Sequence, residues 1–243
     1  MPSQPAAILT DATHFVGHAL ARTLAHRGYA VYAVDARFRD EDARTDFAAG
    51  VKGVMALEMQ SAADVAEEVE SRHGRIDLLV GNDAWPAACA PIDEVASVAL
   101  HETFEALVFK PFAFATEAAK RMKPHNRGKM VFLTSAAPLQ GLANYSMYCA
   151  ARGAMNAAVK ALARELAPFN IQVNAVAPNF IANPDYFPPE LMADPAKAAK
   201  ILKNIPLGRL GEPDEVAAMV AHLASDEAGF FTGQVIAAAG GWA

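Results

Sequence analysis

Short apolar runs alternate with stretches of helical periodicity from one end of the chain to the other. Ala6–Thr10 reads as a first strand, a helical pattern follows over Ala19–His26, and Gly28 breaks it before a second strand-like run, Tyr29–Asp35. The alternation continues with a strand at Gly53–Leu57, a helix near Ala62–Ser71, a strand at Asp77–Gly81 and one long helix over Val98–Met122. Lys129–Thr134 then reads as strand, Tyr145–Leu166 as helix and Ile171–Val176 as strand. A Pro- and Asn-rich segment runs to about Pro195, and a helix at Asp214–Ala224 precedes a last strand, Val235–Ala238. Strands that alternate with helices pack as a parallel sheet with helices on both faces, because right-handed crossovers leave few other solutions. The pattern therefore predicts an α/β, Rossmann-like, doubly wound sheet of about seven strands.

At 243 residues the chain fits one domain spanning 1–243, and no linker or repeat divides it. Apolar residues make up 53% and charged residues 20%, which excludes disorder. A net charge of −6 without clustered Lys and Arg excludes a nucleic-acid partner. Cys89 and Cys149 are too few for a disulfide framework and too far apart for a metal knuckle, so no metal is expected. Met1–Ala7 lacks the basic and apolar regions of a secretory signal, and no long apolar run reads as a membrane span. A cytoplasmic protein is the expectation.

In doubly wound folds ligands bind beyond the carboxyl ends of the strands, here at Thr10, Gly81, Thr134 and Val176. Ser135 follows one of these exits, Tyr148 comes thirteen residues later, and Arg152 four residues after that. Positions four apart share a helix face, so Tyr148 and Arg152 point the same way, and a nearby guanidinium favours a phenolate over a phenol. Tyr145 is a rival base, but its plus-four neighbour is Cys149, not a cation.

This set, with the turn Gly81-Asn82-Asp83-Ala84, resembles the short-chain dehydrogenase/reductase superfamily, whose ordinary members carry Lys where this chain has Arg152. A dinucleotide-binding member also has a Gly-rich turn after the first strand, because bare backbone must approach the pyrophosphate. Here the turn reads Thr10-Asp11-Ala12-Thr13-His14-Phe15-Val16-Gly17, and of the expected glycines only Gly17 remains. Arg in place of Lys and an aromatic in the turn together resemble the halohydrin dehalogenases, relatives that work without NAD(P). That resemblance implies Tyr148 as base, Ser135 as hydrogen-bond partner of the substrate oxygen, and Arg152 as the cation beside the base. It also implies a halide site made by Phe15, Pro178, Asn179, Phe180 and Ile181, with backbone N–H groups of Phe180 and Ile181 as donors. Asp83, Trp85, Tyr186 and Phe187 are candidates for the substrate pocket, and the loop over 183–195 for its border. The expected substrates are haloalcohols and epoxides, the expected ligands halide, azide, cyanide or nitrite, and the expected assembly a homotetramer.

Two other functions remain open on the sequence. One is an NAD(P)-dependent reductase with a degenerate turn, in which Asp35 holds the adenosine ribose. The other is a binding protein that kept the fold and lost its cofactor, although such a module has no use for a tuned base.

Overall fold

A computed structural model describes residues 4–58 and 61–243. The first three residues of the Met1–Ala7 segment lie outside the described residues. Seven parallel strands form one sheet in the order β3-β2-β1-β4-β5-β6-β7: β1 (Ala6–Thr10), β2 (Ala30–Asp35), β3 (Val54–Glu58), β4 (Leu78–Gly81), β5 (Gly128–Leu133), β6 (Ile171–Pro178) and β7 (Val235–Ala238). The order reverses between β1 and β4, the place where such a sheet opens a crevice for ligands.

Strands β1, β2, β4 and β5 are buried along their whole length, which is why they read as continuous apolar runs rather than as alternation. On one face α1 (Gly17–His26) and α10 (Pro213–Ala224) pack on a cluster that includes Leu9, Val80, Val131 and Val216. On the other face α3 (Ala62–His73), α5 (Lys110–Met122) and α7 (Ser146–Leu166) pack on Ile8, Leu79, Phe132 and Val173. Successive residues of one strand feed opposite layers, as the period of two demands.

The structure departs from the expected elements in three places. The expected helix Val98–Met122 is three pieces: α4 (Ser97–Phe104), a π-helical turn at Glu105–Phe109, and α5. Pro111 supplies the physical cause, since a residue without an N–H cannot continue the regular ladder and the preceding turn widens. Two helices absent from the sequence pattern are α2 (Glu41–Ala48) and α6 (Ala137–Gln140), short elements with too few apolar positions to show a period. The Pro-rich segment also holds helix, α8 (Pro189–Ala193), and α9 (Pro195–Leu202) follows it. Among the described residues no helix is long and apolar enough to cross a membrane.

Candidate active site

Two strand exits and one helix converge on one guanidinium. Arg152 lies on α7 and is only 8% exposed. Its Nε donates to the Tyr148 hydroxyl at 3.2 Å, one terminal nitrogen donates to the Leu133 carbonyl at the end of β5 (3.0 Å), and the other to the Asp83 carbonyl after β4 (3.0 Å). The fork therefore ties two strand ends to the helix that bears Tyr148, a planar three-way geometry that an ammonium does not reproduce. Its central carbon stands 5.3 Å from the centre of the Tyr148 ring.

Ser135, also buried, follows β5, and its Oγ accepts the amide of Ala137 at 3.1 Å, which orients it at the start of α6. Its carbonyl accepts from the Asn156 amide nitrogen at 3.4 Å, so Tyr148, Arg152 and Asn156 form one column down the face of α7. The amide of Ala136 donates to Pro178, linking the Ser135 turn to the end of β6.

The turn after β1 is folded upon itself. Asp35, 1% exposed, accepts both the amide (2.9 Å) and the hydroxyl (2.8 Å) of Thr13 on one carboxylate oxygen and the amide of Arg37 (2.9 Å) on the other. Asn82 donates its side-chain amide to the carbonyls of Asp11 and His14, both at 2.9 Å. Asp11 and Phe15 take φ of 43° and 49°, a left-handed backbone that costs a non-glycine residue about 1–2 kcal/mol, so these bonds hold the turn against its own strain. Gly17 is required on different grounds: a Cβ there would stand 2.0 Å from the Ala12 carbonyl oxygen. The Phe15 ring packs on the same apolar cluster as Ile181.

Beneath the site lies an ionic group the sequence did not reveal. Lys110, first residue of α5, places its ammonium 2.5 Å from Asp11 and 3.5 Å from Asp83. Asp83 also accepts from the Thr10 hydroxyl at 3.3 Å, and Asp11 from the amide of Ala84 at 2.9 Å. Burial pushes the Asp83 carboxyl up to about 6, Asp11 adding to the rise while Lys110, Arg152 and Thr10 oppose it. Burial works against the Lys110 ammonium, but the two carboxylates outweigh it and raise Lys110 above its ordinary value. The one available signal was a lysine in an otherwise apolar stretch of helix.

The other expected residues sort unevenly. Asp83 turns its side chain into this buried group, and only its backbone carbonyl reaches the arginine, so its place as a pocket-lining side chain is corrected. Trp85 packs in one small apolar cluster with Tyr148, Leu107, Val108 and Ala151. Tyr186 reaches the Trp85 carbonyl at 3.4 Å, and burial followed by the neighbouring Tyr148 pushes its hydroxyl up. Phe180 (φ 56°) meets the Phe187 ring at a tilt, centroids 6.2 Å apart, and the Trp242 ring edge-on at 5.7 Å. Periodicity gave no sign of this Trp242 contact, since an irregular segment has no periodic context. Of the expected amide donors, that of Phe180 is engaged by the Asn179 side chain at 2.9 Å. The Asn179 amide donates to Ala238 (3.1 Å), whereas that of Ile181 meets no protein acceptor among the described residues. No group of three or more metal-ligating side chains occurs among the described residues.

Residues 12–243 match a family model described as enoyl-(acyl carrier protein) reductase. Curated relatives include an uncharacterized oxidoreductase of Methylorubrum extorquens, 32% identical over 97% of this chain and 96% of that one. The 3-oxoacyl-acyl-carrier-protein reductase of Escherichia coli is 31% identical over 97% of this chain and 96% of its own length. Among solved structures, one described as a dehalogenation enzyme is 41% identical, covers both chains fully and superposes with a TM-score of 0.94. A halohydrin dehalogenase bound to ethyl (2S)-oxiran-2-ylacetate is 36% identical over 97% of this chain and 96% of that one, with a TM-score of 0.92. An NAD+-bound xylitol dehydrogenase is 26% identical over 99% of each chain, with a TM-score of 0.88.

Proposed function

The chain belongs to the short-chain dehydrogenase/reductase superfamily, and within it we propose that it acts as a halohydrin dehalogenase, converting vicinal haloalcohols to epoxides without a nicotinamide cofactor. The carrying observation is the Arg152 fork, which holds the Tyr148 hydroxyl while both its terminal nitrogens are committed to strand-end carbonyls. A dinucleotide fits these residues poorly. Asp35, the group that would hold a ribose, is taken up by Thr13 and Arg37, and Phe15 puts a ring where bare backbone is needed.

In the forward reaction the Tyr148 oxygen takes the proton of the substrate hydroxyl while the Ser135 hydroxyl donates to the developing alkoxide. The alkoxide forms a C–O bond to the adjacent carbon, the C–X bond breaks, and halide leaves with the electron pair. Both reacting groups belong to one molecule, so the protein's task is to fix the antiperiplanar arrangement and receive the anion. Phe15 and Ile181, which share one apolar cluster, with the neighbouring Phe180 and the Ile181 amide, are the proposed halide side, and halide binding there requires no release of the Phe180 amide from Asn179. In reverse, azide, cyanide, nitrite or halide opens an epoxide and Tyr148 returns the proton. Purified protein without added nucleotide is expected to release equal amounts of acid and chloride from 1,3-dichloro-2-propanol. Its absence overturns the reading.

The reductase relatives sustain a second reading, an NAD(P)-dependent reductase with a distorted first turn. Titration with NADH and NADPH separates the two: tight binding with enhanced nicotinamide fluorescence supports the reductase, and no binding at millimolar nucleotide supports the dehalogenase.

A further inference from the structure

At the amino ends of the strands, across the sheet from the candidate active site, a cleft of about 400 Å³ opens between β4, β5, β6 and the end of α10. Its lining includes Arg27, Arg127 and Lys129, with Asp77 and Asp226. Met130 and Phe132 face the α7 layer and Val131 the α10 layer, so strand alternation turns Lys129 toward α10 and the cleft.

Lys129 is 8% exposed, and its ammonium nitrogen is buried with no hydrogen-bond partner. A charge in that position is costly unless something pairs with it. The two carboxylates nearby are spoken for. Asp77 accepts from Arg75 at 2.7 Å and from the amide of Ala6 at 2.9 Å, and Asp226 pairs with Arg127 at 3.3 Å. Arg27 and Lys129 are in no ion pair among the described residues, so the cleft carries two uncompensated positive charges. Burial lowers the Lys129 amine below its ordinary value, and Asp226 opposes that shift without cancelling it.

We propose that this cleft binds a small dianionic oxyanion, a phosphate or dicarboxylate head, through the ammonium of Lys129 and the guanidinium of Arg27. Asn170 and Gln172 line the same opening, and each side-chain amide keeps one N–H beyond the one it gives to Asn126 and Asn170 respectively. The site is independent of the dehalogenase reading, because none of its residues touches the Tyr148 centre.

The test is calorimetric titration of the full chain with inorganic phosphate and, separately, with succinate at low ionic strength. Saturable binding of either, weakened about tenfold or more by Lys129→Met, is the expected result, since one charge-assisted hydrogen bond is worth that much. Phosphate alone binding identifies a tetrahedral head, and succinate alone a planar one. Methionine matches the lysine stem in length and suits a buried position; if that variant fails to fold, Lys129→Gln takes its place. No saturable binding of either anion, or binding that the Lys129 variant leaves unchanged, overturns the proposal.

Discussion

At the scale of single residues, the Arg152 fork makes the sharpest prediction. Lysine at this position supplies charge but not three divergent donors, so Arg152→Lys loses the hold on the Leu133 and Asp83 carbonyls. Haloalcohol turnover is expected to fall about a hundredfold or more in Arg152→Lys, and by roughly 10²–10⁴ in Tyr148→Phe, the usual span for a lost proton-transfer group. Steady-state rates of halide release check both; unchanged kcat in Tyr148→Phe removes Tyr148 as the base, and unchanged kcat in Arg152→Lys removes the need for the three-way fork. Asp83 makes a prediction of a different kind. Its carboxyl is raised to about 6 by burial, so ionising it is harder in the folded protein than in the unfolded chain. Its contribution to stability is therefore greatest at low pH and is lost as pH climbs from the ordinary carboxylate range through about 6. Asp83→Asn, which keeps an acceptor for Thr10 and leaves Asp11 to partner Lys110, is expected to melt higher than the parent at pH 7 and alike at pH 4. Paired thermal unfolding curves at the two pH values decide it, and a variant that melts lower at pH 7 shows that the Lys110 pair outweighs desolvation.

At the scale of elements, the first turn shows how conformational strain and hydrogen bonds balance. Gly17 sits where a Cβ would overlap the Ala12 carbonyl, so Gly17→Ala is expected to cost about 1–3 kcal/mol or more, measured by urea unfolding, because backbone cannot yield as a side chain can. All seven strands were legible with errors at their ends of no more than two residues, and β1, β2, β4 and β5 most plainly, because strands buried along their whole length leave apolar runs. The long helix before β5 was legible as helix but not as three pieces, since Pro111 signals a break without saying whether the chain kinks, stops or widens into a π turn. The contact between Tyr148 and Arg152 was legible because the two share one helix face four residues apart. The Lys110 group was not, because it joins residues 11 and 83 in two strand-end turns to residue 110 on a helix, and only the fold brings such separations together. The same limit hid Asn179 capping the Phe180 amide: donors in an irregular loop are set by local dihedrals, which composition does not encode.

At the scale of the molecule, apolar surface remains that one sheet and its helices do not cover. Val98 on α4, Phe109 in the π turn and Phe112 on α5 are 65%, 54% and 39% exposed, all on one continuous helical segment. A second uncovered group, Phe230 and Phe231, lies just before β7. Soluble monomers seldom expose contiguous apolar patches of this kind, whereas homo-oligomers with two perpendicular contacts need two such faces. A homotetramer is the expected assembly, with the α4–α5 face pairing in one direction and the β7 edge in the other. Light scattering on the purified chain should give about four times the mass of one subunit. Phe109→Asp with Phe112→Asp should reduce that to a dimer, because two charges cannot be buried in a self-complementary contact without partners. The ammonium of Lys110 lies on the same segment as these phenylalanines, so splitting the face is also expected to loosen the turn that Asp11 anchors and to lower haloalcohol turnover. A dimeric variant with full turnover would separate assembly from the site, and a monomeric parent chain would remove the assembly itself.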